Sequence, residues 1–326
     1  MWGVVSCFFP VNAGVRQGCV LAPSLFNTCM DWVLGRVVDQ SHCGASVGNT
    51  TVTDLVFADD AVILAESLEV LVLALETLHE ETKPLGLQVS WTKTKVQVFG
   101  GLLDETVQSV HACGEDIEIL ESFTYLGSVV HNSGGSRHEV LRRIGLAHGV
   151  MDSLNMSIWR CRYLCRRTKI RIFKSLVLPV LLYGCETWTL NSDLKRRIDA
   201  FGNKCLRRIM GYRWYDYVSN QRLLRETDSR PITCIVRERQ LRLYGHVARY
   251  PEVDPAHRVV SVRDNPVWRR PRGRPQLSWL GQVDESCQEL LRMGRGPAWR
   301  LARRNPRVWR RRVGDATLPP AYAPFD

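Results

Sequence analysis

Long hydrophobic runs are missing from this 326-residue sequence, and no stretch approaches the roughly 20 apolar residues that a membrane-spanning helix requires. The apolar opening, residues 1–10, lacks a basic segment, so no secretory signal is predicted. Cys161 and Cys165 are not followed by another Cys or His at zinc-binding spacing. The eleven cysteines are irregularly spaced and favour reduced thiols over a disulfide framework. We therefore expect a nuclear or cytoplasmic protein that is not secreted and has no membrane span.

Acidic residues are also scarce. The 33 Asp and Glu residues are outnumbered by 44 Lys and Arg residues, and the sequence pI is about 9.3. Residues 261–312 contain fourteen Arg, no Lys and four acidic residues, whereas residues 1–30 contain no Asp or Glu at all. The basic balance predicts a polyanionic partner such as nucleic acid.

Two adjacent carboxylates, Asp59 and Asp60, lie within an alternating apolar run, residues 54–64. Burying such a pair is too costly unless a cation neutralises it, so the run predicts a β-hairpin that presents acids to a divalent metal. Mg²⁺ suits this arrangement because it takes one or two carboxylates and fills its other positions with water and substrate phosphate. Taken alone, the doublet fits an Asp-rich hairpin turn at least as well.

Hydrophobic periodicity predicts a mixed α+β fold. Apolar residues at helical spacing predict one helix over residues 23–38 and another over residues 68–78, with Ser67 as its N-cap and Gly86 beyond its end. Residues 96–99 predict a strand. Helices packed on one face of a small antiparallel sheet would account for this pattern.

Three more helical stripes follow, over residues 140–154, 170–177 and 194–209, and predict the core of a helix bundle. The last stripe is preceded by Ser192 as a cap and followed by Gly211 as a terminator.

The sequence after residue 215 is rich in Arg, Trp and Pro, and its periodicity is weak, so we expect a loosely ordered basic region. Trp268, Trp279, Trp299 and Trp309 alternate there with Arg clusters, a mixture that could stack on single-stranded bases and hold phosphates. The alternative is a compact terminal domain with these tryptophans in its core.

Four blocks along the chain, in this order and spacing, resemble the later palm motifs of reverse transcriptases from non-LTR (LINE-type) retrotransposons: residues 14–27, 54–64, 87–99 and 123–128. Residues 168–188 are similar to the thumb of those enzymes, and residues 272–279 to a segment near their C-termini. The resemblance implies a partial α+β polymerase palm over residues 1–119, a primer grip and helical thumb over 120–215, and a basic C-terminal region over 216–326.

The resemblance also implies an activity, RNA-directed DNA synthesis with Mg²⁺ or Mn²⁺, an RNA template, a DNA primer and deoxynucleoside triphosphates. Asp59 would be the main metal ligand and Asp60 its partner. The other implied contacts are to the nucleotide from Gln17, Gly18, Phe57, Lys93 and Lys95, to the primer end from Tyr125, Leu126 and Gly127, and to nucleic acid from Arg142, Arg143, Arg166, Arg167, Lys169, Arg171 and Lys174. For the two nucleotide-site lysines, solvated strand-end charges are an equally good interpretation, and some of the thumb cations would be ordinary surface charges.

One departure from the family pattern concerns the third catalytic carboxylate, which in those enzymes lies on a strand before the first block. Residues 1–30 contain no acid, so this ligand is missing. Asp54 would point to the opposite face from Asp59, and Glu66 lies beyond the hairpin. We therefore expect an N-terminally truncated domain with an incomplete metal site that does not polymerise alone.

The family's fingers and first palm strand are also missing, which would leave an uncovered sheet edge and exposed apolar surface at the hairpin. We expect poor solubility or dependence on a partner. Two alternatives remain open: a nucleic-acid-binding remnant without catalysis, and a decayed reading frame whose product does not fold stably.

Overall fold

The computed structural model describes residues 18–47, 50–100, 107–261 and 277–318. The helices are α1 (Ala22–Ser41), α2 (Leu68–Thr82), α3 (Arg137–Ser153), α4 (Arg166–Ile172), α5 (Leu178–Leu181), α6 (Ser192–Met210), α7 (Asn220–Glu226), α8 (Ile232–Val247), α9 (Pro255–Ser261), α10 (Trp279–Leu291), α11 (Arg295–Arg304) and α12 (Pro306–Ala316). The strands are β1 (Ala45–Val47), β2 (Thr50–Val52), β3 (Asp54–Phe57), β4 (Asp60–Ile63), β5 (Ser109–Ala112), β6 (Glu115–Glu118), β7 (Ser122–Tyr125) and β8 (Ser128–His131). The predicted α+β class is confirmed.

The chain divides into two compact units, the first containing α1, α2 and β1–β6, and the second containing β7, β8 and α3–α12. In the first unit, α1 packs against α2 through a small core that includes Val33, Val37 and Ala74. The predicted cap of α2 is confirmed, because the Ser67 hydroxyl accepts a hydrogen bond from the backbone N–H of Val70. Both helices predicted for this region are present.

The described strands form four separate antiparallel hairpins, β1–β2, β3–β4, β5–β6 and β7–β8, instead of the single small sheet that we expected. The strand predicted over residues 96–99 is wrong, since only Val96 makes an isolated parallel bridge, to Ile119. Beyond it, the side-chain amide of Gln97 donates to the backbone oxygens of Glu121 and Val130, so side-chain hydrogen bonds replace a strand ladder.

In the second unit, α3, α4, α5 and α6 surround one large core that includes Met151, Phe173, Leu181 and Ile198. The three predicted helical stripes are confirmed, although the middle one continues from α4 through a π-helical turn, Phe173–Val177, into α5. The cap of α6 was predicted one residue too late: the side chain of Asn191, not that of Ser192, accepts from the N–H of Leu194.

The prediction of a loosely ordered region after residue 215 is wrong for the residues described there. Helices α8, α10, α11 and α12 share a core in which Trp309 is 1% exposed and its indole N–H donates to the backbone oxygen of Leu241 at 3.2 Å. The indole packs directly on Gly245 of α8, where an added Cβ would lie 2.0 Å from Nε1. Trp279 and Trp299 pack against the same core, whereas Trp268 lies outside the described residues.

No helix within the described ranges is long and apolar enough to cross a membrane.

Candidate functional site

The carboxylate doublet lies at the tip of the β3–β4 hairpin. Phe57 pairs with Asp60, so Ala58 and Asp59 form a two-residue turn between the strands. Ala58 adopts φ +55°, a left-handed conformation that costs a non-glycine residue about 1 kcal/mol. Backbone strain of this kind clusters at functional sites, and here it adjoins the two acids.

The register of the hairpin fixes which residues share a face. Because side chains alternate, Leu55 and Phe57 of β3 lie on the same face as Asp60 of β4, and Asp54 lies on the opposite face. Phe57 is 63% exposed, and both Leu55 and Val56 are also exposed. The prediction of exposed apolar surface at this hairpin is therefore confirmed for the part of the chain that the structure describes.

The donor set at the doublet fits only part of a divalent-metal site. Among residues 18–47, 50–100, 107–261 and 277–318, no three His, Cys, Asp or Glu side chains come together in a group that could hold a metal ion. Glu66 is engaged elsewhere: its carboxylate accepts the N–H of Ser46 at 2.8 Å, and hydrogen bonds from Ser46 lower the pKa of Glu66 below its ordinary value. Asp54 accepts the hydroxyl of Thr53 at 2.6 Å.

The residues implied in nucleotide binding have different surroundings. Gly18 adopts φ +84° just before α1, a conformation that favours glycine, and Gln17 lies outside the described residues. The ammonium group of Lys95 forms an ion pair with Glu118 at 3.0 Å, whereas Lys93 is exposed.

The residues implied in the primer grip form the turn of the β7–β8 hairpin. Tyr125 pairs with Ser128, and the two turn residues, Leu126 and Gly127, have φ values of +47° and +77°. Two successive left-handed residues give the turn that matches the twist of flanking strands. Glycine is suited to this conformation, whereas a bulky Leu adopts it only under strain.

Contacts from α3 and from the turn that follows α5 hold this hairpin turn. The hydroxyl of Tyr183 donates to the backbone oxygen of Leu126 at 2.8 Å. Arg142 and Arg143 both donate to the backbone oxygen of Gly127. The Arg143 guanidinium also lies 4.4 Å from the centroid of the Tyr183 ring, within range of a cation–π interaction.

Glu139 completes this arrangement, which we call the hairpin clamp and define as Glu139, Arg142, Arg143 and Tyr183. The Glu139 carboxylate accepts hydrogen bonds from Arg142 Nε at 2.9 Å, from Arg143 Nε at 2.6 Å and from the backbone N–H of Val129 at 2.9 Å. Burial opposes its ionisation, but these hydrogen bonds outweigh burial and lower the pKa of Glu139. Sequence reasoning missed Glu139 and Tyr183; only the spacing of Glu139 from the two arginines, three and four residues along a helix, was a usable signal.

The remaining thumb cations divide into two groups. Arg166, Arg167 and Arg171 are exposed on α4. Lys169 donates to the backbone oxygen of Trp159 at 2.8 Å, and Lys174 donates to that of Asp228, so both ammonium groups have contacts within the fold.

Comparison with known proteins agrees with the motifs. Residues 3–130 match the family described as reverse transcriptase (RNA-dependent DNA polymerase). These residues therefore carry a reverse transcriptase sequence, as the four blocks predicted.

The chain is also similar to proteins of transposable elements. A transposon-derived protein of Caenorhabditis elegans is 26% identical over 253 residues, which cover 73% of this chain and 86% of that protein. The Pol polyprotein of the type-1 retrotransposable element R2 from Popillia japonica is 24% identical over 211 residues, which cover 61% of this chain and 28% of the polyprotein. Its counterpart from Nasonia vitripennis is 42% identical over 131 residues, or 37% of this chain and 12% of the polyprotein. These relatives agree with the resemblance to reverse transcriptases of non-LTR retrotransposons, and the chain spans less than a third of these two R2 polyproteins.

Proposed function

We propose that this chain supplies the metal-binding doublet and primer-end contacts of a non-LTR reverse transcriptase and holds an RNA template paired with a DNA primer. In this proposal residues 1–119 contribute to the palm, 120–215 form the primer grip and thumb, and 216–326 form a basic helical region. The observation that carries the proposal is the Asp59–Asp60 doublet at a strained hairpin tip, inside the region that matches reverse transcriptases.

Each part of the site has a role that follows from its chemistry. Asp59 and Asp60 would be ligands to Mg²⁺ or Mn²⁺, which in this reaction activates the primer hydroxyl and neutralises the leaving pyrophosphate. The residues assigned to the incoming nucleotide are Gln17, Gly18, Phe57, Lys93 and Lys95. Cations of the thumb would contact phosphates of the duplex, and those on α4 are the most accessible to it.

The Leu126–Gly127 turn would place the primer end. Its two carbonyl groups are already bound by Tyr183, Arg142 and Arg143, so the turn has a fixed backbone geometry. A preformed turn positions a primer terminus without a further loss of backbone entropy on binding.

The chain alone is proposed to bind template–primer without extending it. Two carboxylates supply part of the usual set, and residues 1–30 contain no acid that could act as the third ligand. A nucleic-acid-binding function without catalysis is therefore the second candidate for this polypeptide. The absence of Asp and Glu from residues 1–30 favours it.

Primer extension tests the proposal. The purified chain and its Asp59→Asn variant are each incubated with a DNA primer on an RNA template, Mg²⁺ and deoxynucleoside triphosphates, and binding of the same template–primer is measured in parallel. We expect binding by both proteins and extension by neither. Extension by the wild-type chain that is lost in Asp59→Asn would show a competent catalytic site, and failure of the folded wild-type chain to bind template–primer would overturn the proposed function.

A further inference from the structure

The C-terminal helices carry an unbalanced positive charge. Residues 292–314 include nine Arg and no Lys, Asp or Glu. Most of these arginines lie on α11 and α12, which are joined by the single residue Asn305. Such a density of one charge on two connected helices opposes folding through self-repulsion, and it attracts anions to this surface.

The packing of the two helices directs this charge outward. On α11 the buried positions are Ala298 and Ala302, and on α12 they are Trp309 and Val313, each pair four residues apart on one face. The arginines therefore occupy the other faces, and seven of them are exposed: Arg300, Arg303, Arg304, Arg307, Arg310, Arg311 and Arg312. We call these seven residues the basic face.

Acidic groups neutralise little of the basic face. Arg303 lies 3.0 Å from the carboxylate of Glu252, and Arg311 lies 3.8 Å from that of Asp315; in both pairs the side chains are largely exposed. Exposed ion pairs of this kind contribute at most about 1 kcal/mol. Within the described residues, no other member of the basic face forms an ion pair.

The chemistry of the basic face favours phosphate groups. Guanidinium groups bind phosphate oxygens in a bidentate manner and remain charged at all physiological pH values. Single-stranded nucleic acid is normally held by aromatic rings as well as by cations. Here Trp309 is buried, and Trp299 is turned inward against Tyr244 and His257, with ring centroids 5.1 Å apart in each case. The basic face therefore offers charge without a stacking ring, which suits the outer backbone of a duplex.

We propose that the basic face of α11 and α12 is a binding surface for the phosphate backbone of a nucleic-acid duplex, independent of sequence. This inference takes its class of partner from the proposed function but does not depend on the carboxylate doublet. For Trp299 and Trp309 it also replaces the expectation that these rings stack on unpaired bases.

The test compares two triple variants of the full chain with equal loss of charge. One is Arg304→Gln, Arg307→Gln and Arg310→Gln, all within the basic face. The matched control is Arg36→Gln, Arg225→Gln and Arg258→Gln, which changes three exposed arginines that lie outside the basic face and outside the proposed thumb. Far-ultraviolet circular dichroism and thermal melting establish that both variants are folded. Fluorescence anisotropy then gives the association constant for a labelled RNA–DNA hybrid over a series of salt concentrations.

We expect the basic-face variant to bind the duplex more weakly. The magnitude of the negative slope of log K against log salt should decrease by about 2.7, because each of the three lost phosphate contacts removes about 0.9. The control variant should keep the wild-type slope. An unchanged slope in the basic-face variant, or an equal fall in both variants, would overturn the inference.

Binding of two further ligands, a single strand and anionic vesicles, distinguishes a duplex from other polyanionic partners. A single strand of the same length should bind more weakly than the duplex, and equal binding that depends on the same arginines would overturn the duplex assignment. Vesicles containing anionic lipid provide the second comparison: basic-face-dependent binding to vesicles but not to the duplex would also overturn it. If the folded basic-face variant no longer bound the template–primer at all, this inference would stand and only the proposed function would fall, because no binding would remain at the palm and thumb.

Discussion

Replacing Glu139 by glutamine tests whether the hairpin clamp holds the proposed primer-grip turn. The Glu139 side chain is 4% exposed and that of Arg143 is 9% exposed, so their ion pair is shielded from solvent. Glutamine keeps the shape but removes the charge and places an amide NH₂ against arginine donors. Breaking one side of a buried pair costs about 3 kcal/mol or more, and we expect a loss of that size in the free energy of unfolding at neutral pH.

The loss should depend on pH in a defined direction. The pKa of Glu139 is lowered in the folded state, from an ordinary value of 4.5. A carboxyl group with a lowered folded-state pKa stabilises the protein fully above its ordinary pKa, and this contribution is lost as the pH falls through the folded-state pKa. The difference between wild type and Glu139→Gln should therefore be largest at neutral pH and should shrink in acid.

The assay is urea unfolding of both proteins at neutral and acidic pH, with Glu121→Gln as the control because Glu121 is exposed in the same unit. The control should change the free energy of unfolding by less than about 0.5 kcal/mol. Equal losses in the two variants, or a Glu139→Gln protein as stable as the wild type at neutral pH, would refute the importance that we assign to the clamp.

Three smaller predictions concern packing and exposure. Gly245→Ala should destabilise the protein by about 1–3 kcal/mol because its Cβ would meet the Trp309 ring, whereas Gly149→Ala, with open space around it in α3, should stabilise by up to about 1 kcal/mol; thermal melts with the reverse order would contradict this packing. Tyr183→Phe should cost about 1 kcal/mol through its lost hydrogen bond, and an unchanged urea midpoint would speak against that bond. Phe57→Ser should reduce light scattering on concentration without lowering the melting temperature, since the ring is exposed; unchanged scattering would count against an aggregating hairpin.

Local patterns accounted for much of the fold. Helices α1, α2, α3 and α6 show regular apolar stripes, and each stripe predicted its helix. The hairpin at Asp59 and Asp60 could be predicted as well, because residues with alternating apolar side chains flank a two-residue turn. These features depend on residues a few positions apart, so they need no knowledge of tertiary structure.

The C-terminal core could not be recognised in the same way. Its buried positions include Ala298, Ala302 and Gly245, and such small residues give a weak apolar stripe although they allow close packing against Trp309. The sequence therefore favoured Trp309 as one of several rings in a loosely ordered basic region and left a compact terminal domain as the alternative, and the structure places this ring in a core.

The hairpin clamp depends on distant parts of the chain. The Tyr183 hydroxyl donates a hydrogen bond to the backbone oxygen of Leu126, 57 residues away in the sequence, and no local pattern predicts that contact. The predicted strand over residues 96–99 failed for a related reason, because the partner of Val96 is a single residue, Ile119, and the next contacts are made by a side chain. Contacts of this kind follow from the tertiary arrangement and not from residue preference.

Mn²⁺ titration followed by electron paramagnetic resonance tests the central claim, that the doublet supplies only part of a metal site. We predict at most one weakly bound Mn²⁺ for each chain, lost in the Asp59→Asn, Asp60→Asn double variant. Two tightly bound ions with the spin coupling expected at a separation of about 4 Å would contradict the claim and would identify a complete polymerase site.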